Sequence, residues 1–144
     1  MSSKPSVPDG YVLHDGVPRA DDFVRLRDAA GMGPRSLEAA ERGLPNTYYG
    51  VYVTDEAGQP VGLARVISDG GTVYHISDVA VDEAHQGAGL GTAMMDAVMA
   101  FIEADAPETA YVNLLADVDG FYERWAFEYS APESKGMVWE PDDR

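Results

Sequence analysis

The chain has 144 residues, of which 45% are hydrophobic and 24% charged, which is typical of a folded globular protein. This length suits one compact domain spanning 1–144 with a single active site, and residues 1–10 are interpreted as a loose N-terminal arm. The absence of cysteine excludes disulfides, thiolate zinc sites and cysteine nucleophiles. Three scattered histidines predict no metal site.

Acidic residues outnumber basic ones by 25 to 10, which gives a formal net charge of -15. Because the acids are spread along the chain, we interpret them as an adaptation to concentrated salt, as in the acidic proteome of a halophile. The alternative is that they attract a cationic substrate. Such a charge repels phosphates, so no nucleic-acid partner is expected. The sequence has no apolar run of about 18 residues and no secretory signal, so we expect no membrane association and a cytoplasmic location.

In chain order, hydrophobic periodicity predicts a strand, two helices, three strands, a long helix, a strand, a short helix and two extended segments. The first eight are Tyr11 to His14, Ala20 to Ala30, Leu37 to Arg42, Thr47 to Thr54, Pro60 to Ser68, Val73 to Asp82, a helix after Gly91 that ends at Ala106, and Tyr111 to Ala116. The last three are Asp119 to Trp125, Phe127 to Ser130 and Met137 to Glu140. This order predicts an α+β fold, with one β-helix-β unit embedded in a mixed sheet.

Two single residues refine this prediction. Ser36 precedes the second helix and is its predicted N-cap. Asp78 interrupts the polar and apolar alternation of the third long strand, which predicts a local irregularity there.

A glycine-rich loop, Gln86 to Thr92, connects that strand to the long helix. A helix N-terminus carries unpaired N–H groups and a partial positive charge, and glycine lets the backbone approach a bulky anion. The loop therefore predicts a pyrophosphate site, with a simple tight connector as the alternative. Thr92 stands where GxGxxG needs its last glycine, and the GK of a Walker loop is missing, so dinucleotide and triphosphate sites are not expected.

The loop is similar to the acetyl-CoA motif QxxGxG of the GNAT superfamily, matched here by Gln86, Gly89 and Gly91. Further along, Phe121 to Phe127 resembles the family's FYxxxGF segment, with Ala126 in place of the usual glycine. Two motifs about thirty residues apart are far more specific than one. The resemblance implies the GNAT fold, a mostly antiparallel sheet of six to seven strands flanked by about four helices.

The resemblance covers roughly residues 48–129 and implies transfer of an acetyl group from acetyl-CoA to a primary amine, in a ternary complex. A small-molecule acceptor is expected; a protein or peptide acceptor, or a catalytically silent acetyl-CoA sensor, are the alternatives. The loop amides would hold the pyrophosphate, and one strand would pair with the pantetheine arm. The implied cofactor-binding residues are Val79, Ala80, Val81, Gln86, Gly87, Ala88, Gly89, Leu90, Gly91, Thr92, Asn113 and Tyr122.

Two residues are candidates for proton transfer. Tyr122 is the candidate general acid, since the family motif places a tyrosine beside the sulfur and a phenol has an ordinary pKa near 10; core packing is the alternative. Asp78 is the candidate general base, because a carboxylate among apolar neighbours is costly unless used or paired. A water relay, His75 or a purely structural role for Asp78 remain open.

The acceptor pocket is the part that the sequence defines least. Tyr48, Tyr49, Arg35 and His75 are the candidate substrate-binding residues. Aromatic walls and an acidic surface suit a small cationic or arylalkyl amine. The sheet edge and the C-terminal segment offer a surface for a homodimer.

Overall fold

The computed structural model describes residues 7–141. They form β1 (Val12–Asp15), α1 (Ala20–Ala29), α2 (Leu37–Gly43), β2 (Tyr49–Thr54), β3 (Pro60–Ser68), β4 (Val73–Val81), α3 (Leu90–Asp105) and β5 (Tyr111–Leu114). Three short 3-10 helices span Leu44–Asn46, Glu83–His85 and Tyr122–Trp125. The chain divides between Leu114 and Leu115 into two compact units, and all the strands and α-helices belong to the first unit.

The five strands form one sheet in the order β1-β2-β3-β4-β5. The first three pairings are antiparallel, and β4 pairs with β5 in parallel. Because parallel neighbours need a crossover, α3 lies between β4 and β5 in the sequence. The predicted α+β class and its β-helix-β unit are therefore confirmed.

The predicted strand number of six to seven is too high for the part of the chain that the structure describes, which has five strands. Phe127 to Ser130 and Met137 to Glu140 are not strands. Met137 is 93% exposed and Trp139 81% exposed, so their apolar character does not reflect burial in a sheet. The predicted short helix near Tyr122 is a single 3-10 turn, so residues 7–141 contain three α-helices where about four were expected.

Helices cover both faces of the sheet. On one face, a buried cluster joins α1 and α2 to the sheet through Phe23, Leu26, Ala40, Leu44, Leu63 and Ala80. Successive residues of a strand face opposite sides of the sheet. Gly62 precedes Leu63 and therefore faces the side that α3 covers. A Cβ at Gly62 would lie 3.1 Å from Met94 Cε of α3, so this glycine allows the helix to approach β3 closely. The sheet is thus the middle layer between α1–α2 and α3.

The helix ends follow local signals. Ser36 caps α2 as predicted, because its side chain accepts a hydrogen bond from the Ala39 N–H at 3.0 Å. Helix α1 ends before Gly31, whose φ of 76° lies in the left-handed region. Helix α3 ends at Asp105, just before Pro107, which cannot donate a helical hydrogen bond.

The C-terminal end of α3 is fastened to the sheet by two tyrosines. Tyr48 and Tyr74 both donate hydrogen bonds to Asp105 Oδ2, over 2.8 Å and 2.6 Å. The hydrogen bond from Tyr74, and then that from Tyr48, hold the pKa of Asp105 below its ordinary value. Hydrogen bonding to Asp105 raises the pKa of both tyrosines.

Replacing Asp105 with asparagine is expected to lower the melting temperature at neutral pH by a few degrees, on the order expected for one lost surface contact. A depressed carboxyl pKa contributes stability above its ordinary value near 4, and this contribution is lost as the pH falls through the folded-state pKa. The difference between wild type and Asp105→Asn should therefore shrink toward pH 2. Glu103→Gln, an exposed neighbour on α3, is the control. A constant difference at every pH would contradict this account.

Candidate active site

The glycine loop leads directly into the N-terminus of α3. Gly87 and Gly89 have φ of 86° and 84°, and no heavy atom lies within 4 Å of a Cβ placed on either residue. Gly89 is the N-cap of α3 and supplies no side-chain acceptor to the helix. An open, left-handed glycine backbone beside N-terminal helix amides is the geometry that binds phosphate groups.

Gln86 fixes the start of this loop. Its side-chain amide donates a hydrogen bond to the Val81 carbonyl over 3.0 Å, which holds the loop against the end of β4. Ala88 and Thr92 are half-buried and Leu90 is buried, which anchors the far side of the loop. The side chain of Gln86 therefore positions the backbone amides around it.

Strand β4 has an unpaired edge next to the loop. Its parallel pairing with β5 runs only from Val73 to Ile76. Its pairing with β3 continues further, through Leu63↔Ala80 and Gly62↔Val81. On the β5 side, the backbone of Ser77 to Val81 is thus paired with no strand of residues 7–141. An edge of this kind accepts an extended ligand as an added strand, and Val79, Ala80 and Val81 lie on it.

The irregularity predicted at Asp78 is present. Asp78 has a φ of 56°, and the register between β3 and β4 shifts between Leu63 and Arg65. A positive φ is unfavourable for a residue with a side chain, so neighbouring contacts must hold it.

Two arginines provide these contacts to Asp78. Asp78 Oδ1 accepts a hydrogen bond from Arg27 Nη1, and Asp78 Oδ2 accepts one from Arg65 Nη1 over 2.9 Å. The side chains of Arg27, Asp78 and Arg65 are 5%, 6% and 11% exposed. A buried carboxylate between two guanidinium groups connects α1, β3 and β4 at the bulge.

A cavity of about 230 Å³ opens beside this carboxylate. Its polar lining consists of Arg35, Arg65, Ser77 and Asp78, and its apolar lining comes from Phe23, Ala39, Ala40, Gly43 and Leu44. Of the predicted substrate-binding residues, the structure therefore places Arg35 at a cavity, together with the candidate base.

His75 and Asn113 form a cross-strand pair. They are in register between β4 and β5, and His75 Nδ1 is 2.7 Å from Asn113 Oδ1. Because an amide oxygen only accepts, Nδ1 is the donor of this hydrogen bond, and in a neutral imidazole the lone pair is then on Nε2. His75 points to the same side of the sheet as Ser77, two residues further along.

Tyr48 and Tyr49 lie elsewhere. Tyr48 bonds to Asp105, and the Tyr49 ring stacks on Phe101 with centroids 4.1 Å apart. Both contacts are near the C-terminus of α3, a helix of 16 residues that is about 24 Å long. The structure does not bring these tyrosines together with the glycine loop at the other end of the helix.

In the second unit, Tyr122 begins a 3-10 helix and packs edge-on against Phe121, with centroids 5.0 Å apart. Burial, and then the charge of Asp117, raise the pKa of its phenol above the ordinary value. Ala126 has a φ of 67°, a conformation that favours glycine and thus accounts for the glycine usual at this motif position.

Arg27, Arg65 and Ser77 are site residues that the sequence analysis missed. One signal was available: Arg27 lies four residues after Phe23, on the apolar face of α1, and Arg65 interrupts an apolar strand. Charged residues at buried positions need partners, so two such arginines and Asp78 could have been paired.

Among residues 7–141, no three His, Asp or Glu side chains are arranged to hold a metal ion. Within the same range, each helix is too short or too polar to traverse a bilayer.

The family model described as acetyltransferase (GNAT) domain matches residues 32–137. The chain therefore belongs to the GNAT acetyltransferase family, which confirms the resemblance drawn from the two motifs. The class of enzyme that was predicted, an acetyltransferase, is the class that this family describes.

Solved structures of acetyltransferases have folds similar to that of this chain. A probable acetyltransferase of unknown function from methicillin-resistant Staphylococcus aureus has a TM-score of 0.86 and 38% identity, over 91% of this chain and 99% of that one. A GNAT family acetyltransferase from Brucella melitensis, solved in complex with acetyl-CoA, has a TM-score of 0.61 and 20% identity over 83% of each chain. The second likeness shows the fold alone.

Curated relatives are longer than this chain. GCN5-related N-acetyltransferase 2, chloroplastic, of Arabidopsis thaliana is 38% identical over 84 residues, which are 56% of this chain and 31% of the relative. A histone acetyltransferase from Glycine max is 30% identical over 134 residues, 84% of this chain and 57% of the relative. The chain thus spans between about a third and just over half of these relatives.

Proposed function

We propose that this protein is an N-acetyltransferase that moves the acetyl group of acetyl-CoA to a primary amine of a small molecule, by direct transfer in a ternary complex. The observation that carries this proposal is the open glycine loop at the N-terminus of α3, which lies beside the unpaired edge of β4. Family membership supports the reaction type. The acetyl-CoA complex of the Brucella melitensis neighbour supports the choice of coenzyme.

The residues present fit this coenzyme. Backbone amides of Gly87 to Thr92 would bind its pyrophosphate, since the backbone at Gly87 and Gly89 faces open space and the amides that follow open α3. The edge of Val79 to Val81 would bind its pantetheine arm through main-chain hydrogen bonds. When bound, acetyl-CoA supplies an acetyl group activated as a thioester. An N–H on this edge near the bulge would polarise the acetyl carbonyl.

We assign Asp78 to positioning. Both of its oxygens already accept hydrogen bonds from guanidinium groups, and these contacts hold the bulge that shapes the edge. His75 is the better candidate base, because its Nδ1 donates to Asn113 and its Nε2 lone pair is available to take a proton, directly or through water. Asn113 thus acts through His75 by fixing its tautomer.

We assign Tyr122 to protonating the departing thiolate. Burial and Asp117 raise the pKa of this phenol, so it keeps its proton throughout the neutral range. Tyr122→Phe is expected to lower kcat by about 10²-fold, the effect typical of losing a general acid. The KM for acetyl-CoA should change little, since the ring remains.

Release of free CoA with a panel of amines measures this effect and tests the proposed reaction. Tyr129→Phe is the matched control, because Tyr129 is an exposed tyrosine of the same unit whose hydroxyl bonds to Asp119. Full activity of Tyr122→Phe would remove this residue from the chemistry. Tight acetyl-CoA binding without turnover of any amine would favour a silent sensor instead.

A protein or peptide acceptor is the second candidate. The Glycine max relative is named a histone acetyltransferase, and it is similar over 84% of this chain. Acetylation of a lysine peptide in preference to every small amine would favour this alternative.

A further inference from the structure

The cavity beside Asp78 carries an excess of positive charge, in a chain whose formal net charge is -15. Among residues 7–141, Asp78 is the only acid that lines it, and Arg27 and Arg65 already share that carboxylate. In the lining, this one carboxylate faces the guanidinium group of Arg65. Arg35, also in the lining and exposed, adds a second positive charge, so the described lining holds two positive charges and one negative charge.

The acidic residues of the neighbouring helix do not correct this excess. Glu41 of α2 is not in that lining; it lines a second depression with Val17, Pro18 and Pro45, which shares Ala40 and Leu44 with the cavity. Glu38 is exposed in the first turn of α2 and is not part of the cavity lining. The cavity is thus locally cationic although the protein is acidic.

The arginines differ in how they are held. Arg65 is fixed from several sides, because Nε donates to Thr47 Oγ1 over 2.9 Å and Nη2 donates to the Gly43 carbonyl over 3.3 Å. Arg35 is exposed, and its Nη1 donates to the carbonyl of the adjacent Pro34 over 3.0 Å. A largely buried and an exposed guanidinium in one small cavity suit a compact anion, since planar guanidinium groups match carboxylate and phosphate oxygens.

We propose that the acceptor amine carries an anionic group, a carboxylate or a phosphate, that Arg35 and Arg65 bind in this cavity. This inference rests on the proposed acetyltransferase function. Ser77 and Asp78 line the cavity and immediately precede the β4 edge at Val79 to Val81. An amine anchored there by its anionic end is held next to the place assigned to the acetyl group. The cationic amine expected from overall charge is the class that this cavity disfavours.

The first test compares amines that differ only in the anionic group. β-Alanine is assayed against β-alaninamide, and O-phosphoethanolamine against ethanolamine. The anionic member of at least one pair is expected to have a kcat/KM about ten-fold higher or more, as for one charge-assisted hydrogen bond. The preferred pair distinguishes carboxylate from phosphate. Equal rates in both pairs, or preference for the neutral amines, would overturn the inference.

The second test removes the exposed arginine, Arg35. Arg35→Gln is expected to raise the KM of the anionic amine about ten-fold and to leave kcat nearly unchanged, because Arg35 binds and does not react. Arg42→Gln is the matched control, since Arg42 is an exposed arginine of α2 outside the cavity lining. The same KM change in both variants would indicate a general charge effect and contradict a role for Arg35.

A binding measurement separates this inference from the reaction on which it rests. Inorganic phosphate and acetate are titrated into the wild-type protein while the Nε–H signals of Arg35 and Arg65 are followed by NMR. Saturable shifts of both signals are expected in the wild type, and the shift of the Arg65 signal should be lost or much weaker in Arg35→Gln. Anion binding without acetylation of any amine would contradict the proposed function and leave the anion site standing. Acetylation without anion binding at these arginines would overturn the inference and leave the function standing.

Discussion

Replacing Asp78 with asparagine is expected to destabilise the protein by about 3–5 kcal/mol, the effect of removing one partner from a buried ion pair. The amide has no charge, so Arg27 and Arg65 would lie together in a buried region without their shared counter-ion. The amide keeps one acceptor oxygen, so the bulge at Asp78 would lose one of the two hydrogen bonds that hold its positive φ. Urea unfolding, followed by circular dichroism, measures the free energy change.

Two further variants make this result specific. Asp28→Asn changes the same charge at an exposed position of α1 and should cost less than about 1 kcal/mol. Arg27→Met should cost clearly less in the Asp78→Asn background than in the wild type, because the interaction between them is then already lost. A loss below about 1 kcal/mol for Asp78→Asn, or additive effects, would show that the two arginines do not depend on this carboxylate.

Replacing Gly89 with alanine is expected to weaken acetyl-CoA binding by at least ten-fold. Gly89 has a φ of 84°, which costs a residue with a Cβ about 1–2 kcal/mol, so the N-cap backbone would move to relieve it. The amides at the start of α3 would turn with it, and the methyl group would occupy open space beside the loop. Isothermal titration calorimetry with acetyl-CoA gives the change in Kd.

Gly58→Ala is a matched control for the backbone effect. Gly58 lies in the turn between β2 and β3, has a φ of 80°, and has no heavy atom within 4 Å of an added Cβ. Both variants should lower the melting temperature similarly, but only Gly89→Ala should change the Kd. Unchanged acetyl-CoA binding by Gly89→Ala would mean that the loop backbone does not contact the coenzyme.

Local signals allowed most of the fold to be predicted from the sequence. The Ser36 cap and the glycines after α1 and before α3 define helix ends within one or two residues of those observed. Apolar runs likewise located β2, β3 and β4. By contrast, Met137 to Glu140 has the composition of a strand and is exposed, because strand formation depends on a partner that local composition does not specify.

The candidate site likewise has one part that could be predicted from the sequence and one part that could not. The loop around Gly87 and Gly89 is contiguous, so its glycine pattern and its position before a helix were sufficient to predict a phosphate site. The Arg27–Asp78–Arg65 cluster joins residues as many as 51 positions apart, so the local sequence indicates that each charge needs a partner but not where that partner lies. Tyr48 was assigned to the acceptor pocket for its aromatic side chain, whereas Asp105, distant in sequence, decides where that side chain lies.

We assign the binding of the acetyl-CoA pyrophosphate to the backbone amides that open α3. Amide N–H chemical shifts followed during an acetyl-CoA titration test this assignment most directly, because each residue of the loop reports separately. We expect saturable binding with the largest shifts in Gly87 to Thr92 and further shifts in Val79 to Val81. Saturation with these amides unchanged, or no binding at millimolar acetyl-CoA, would contradict the assignment.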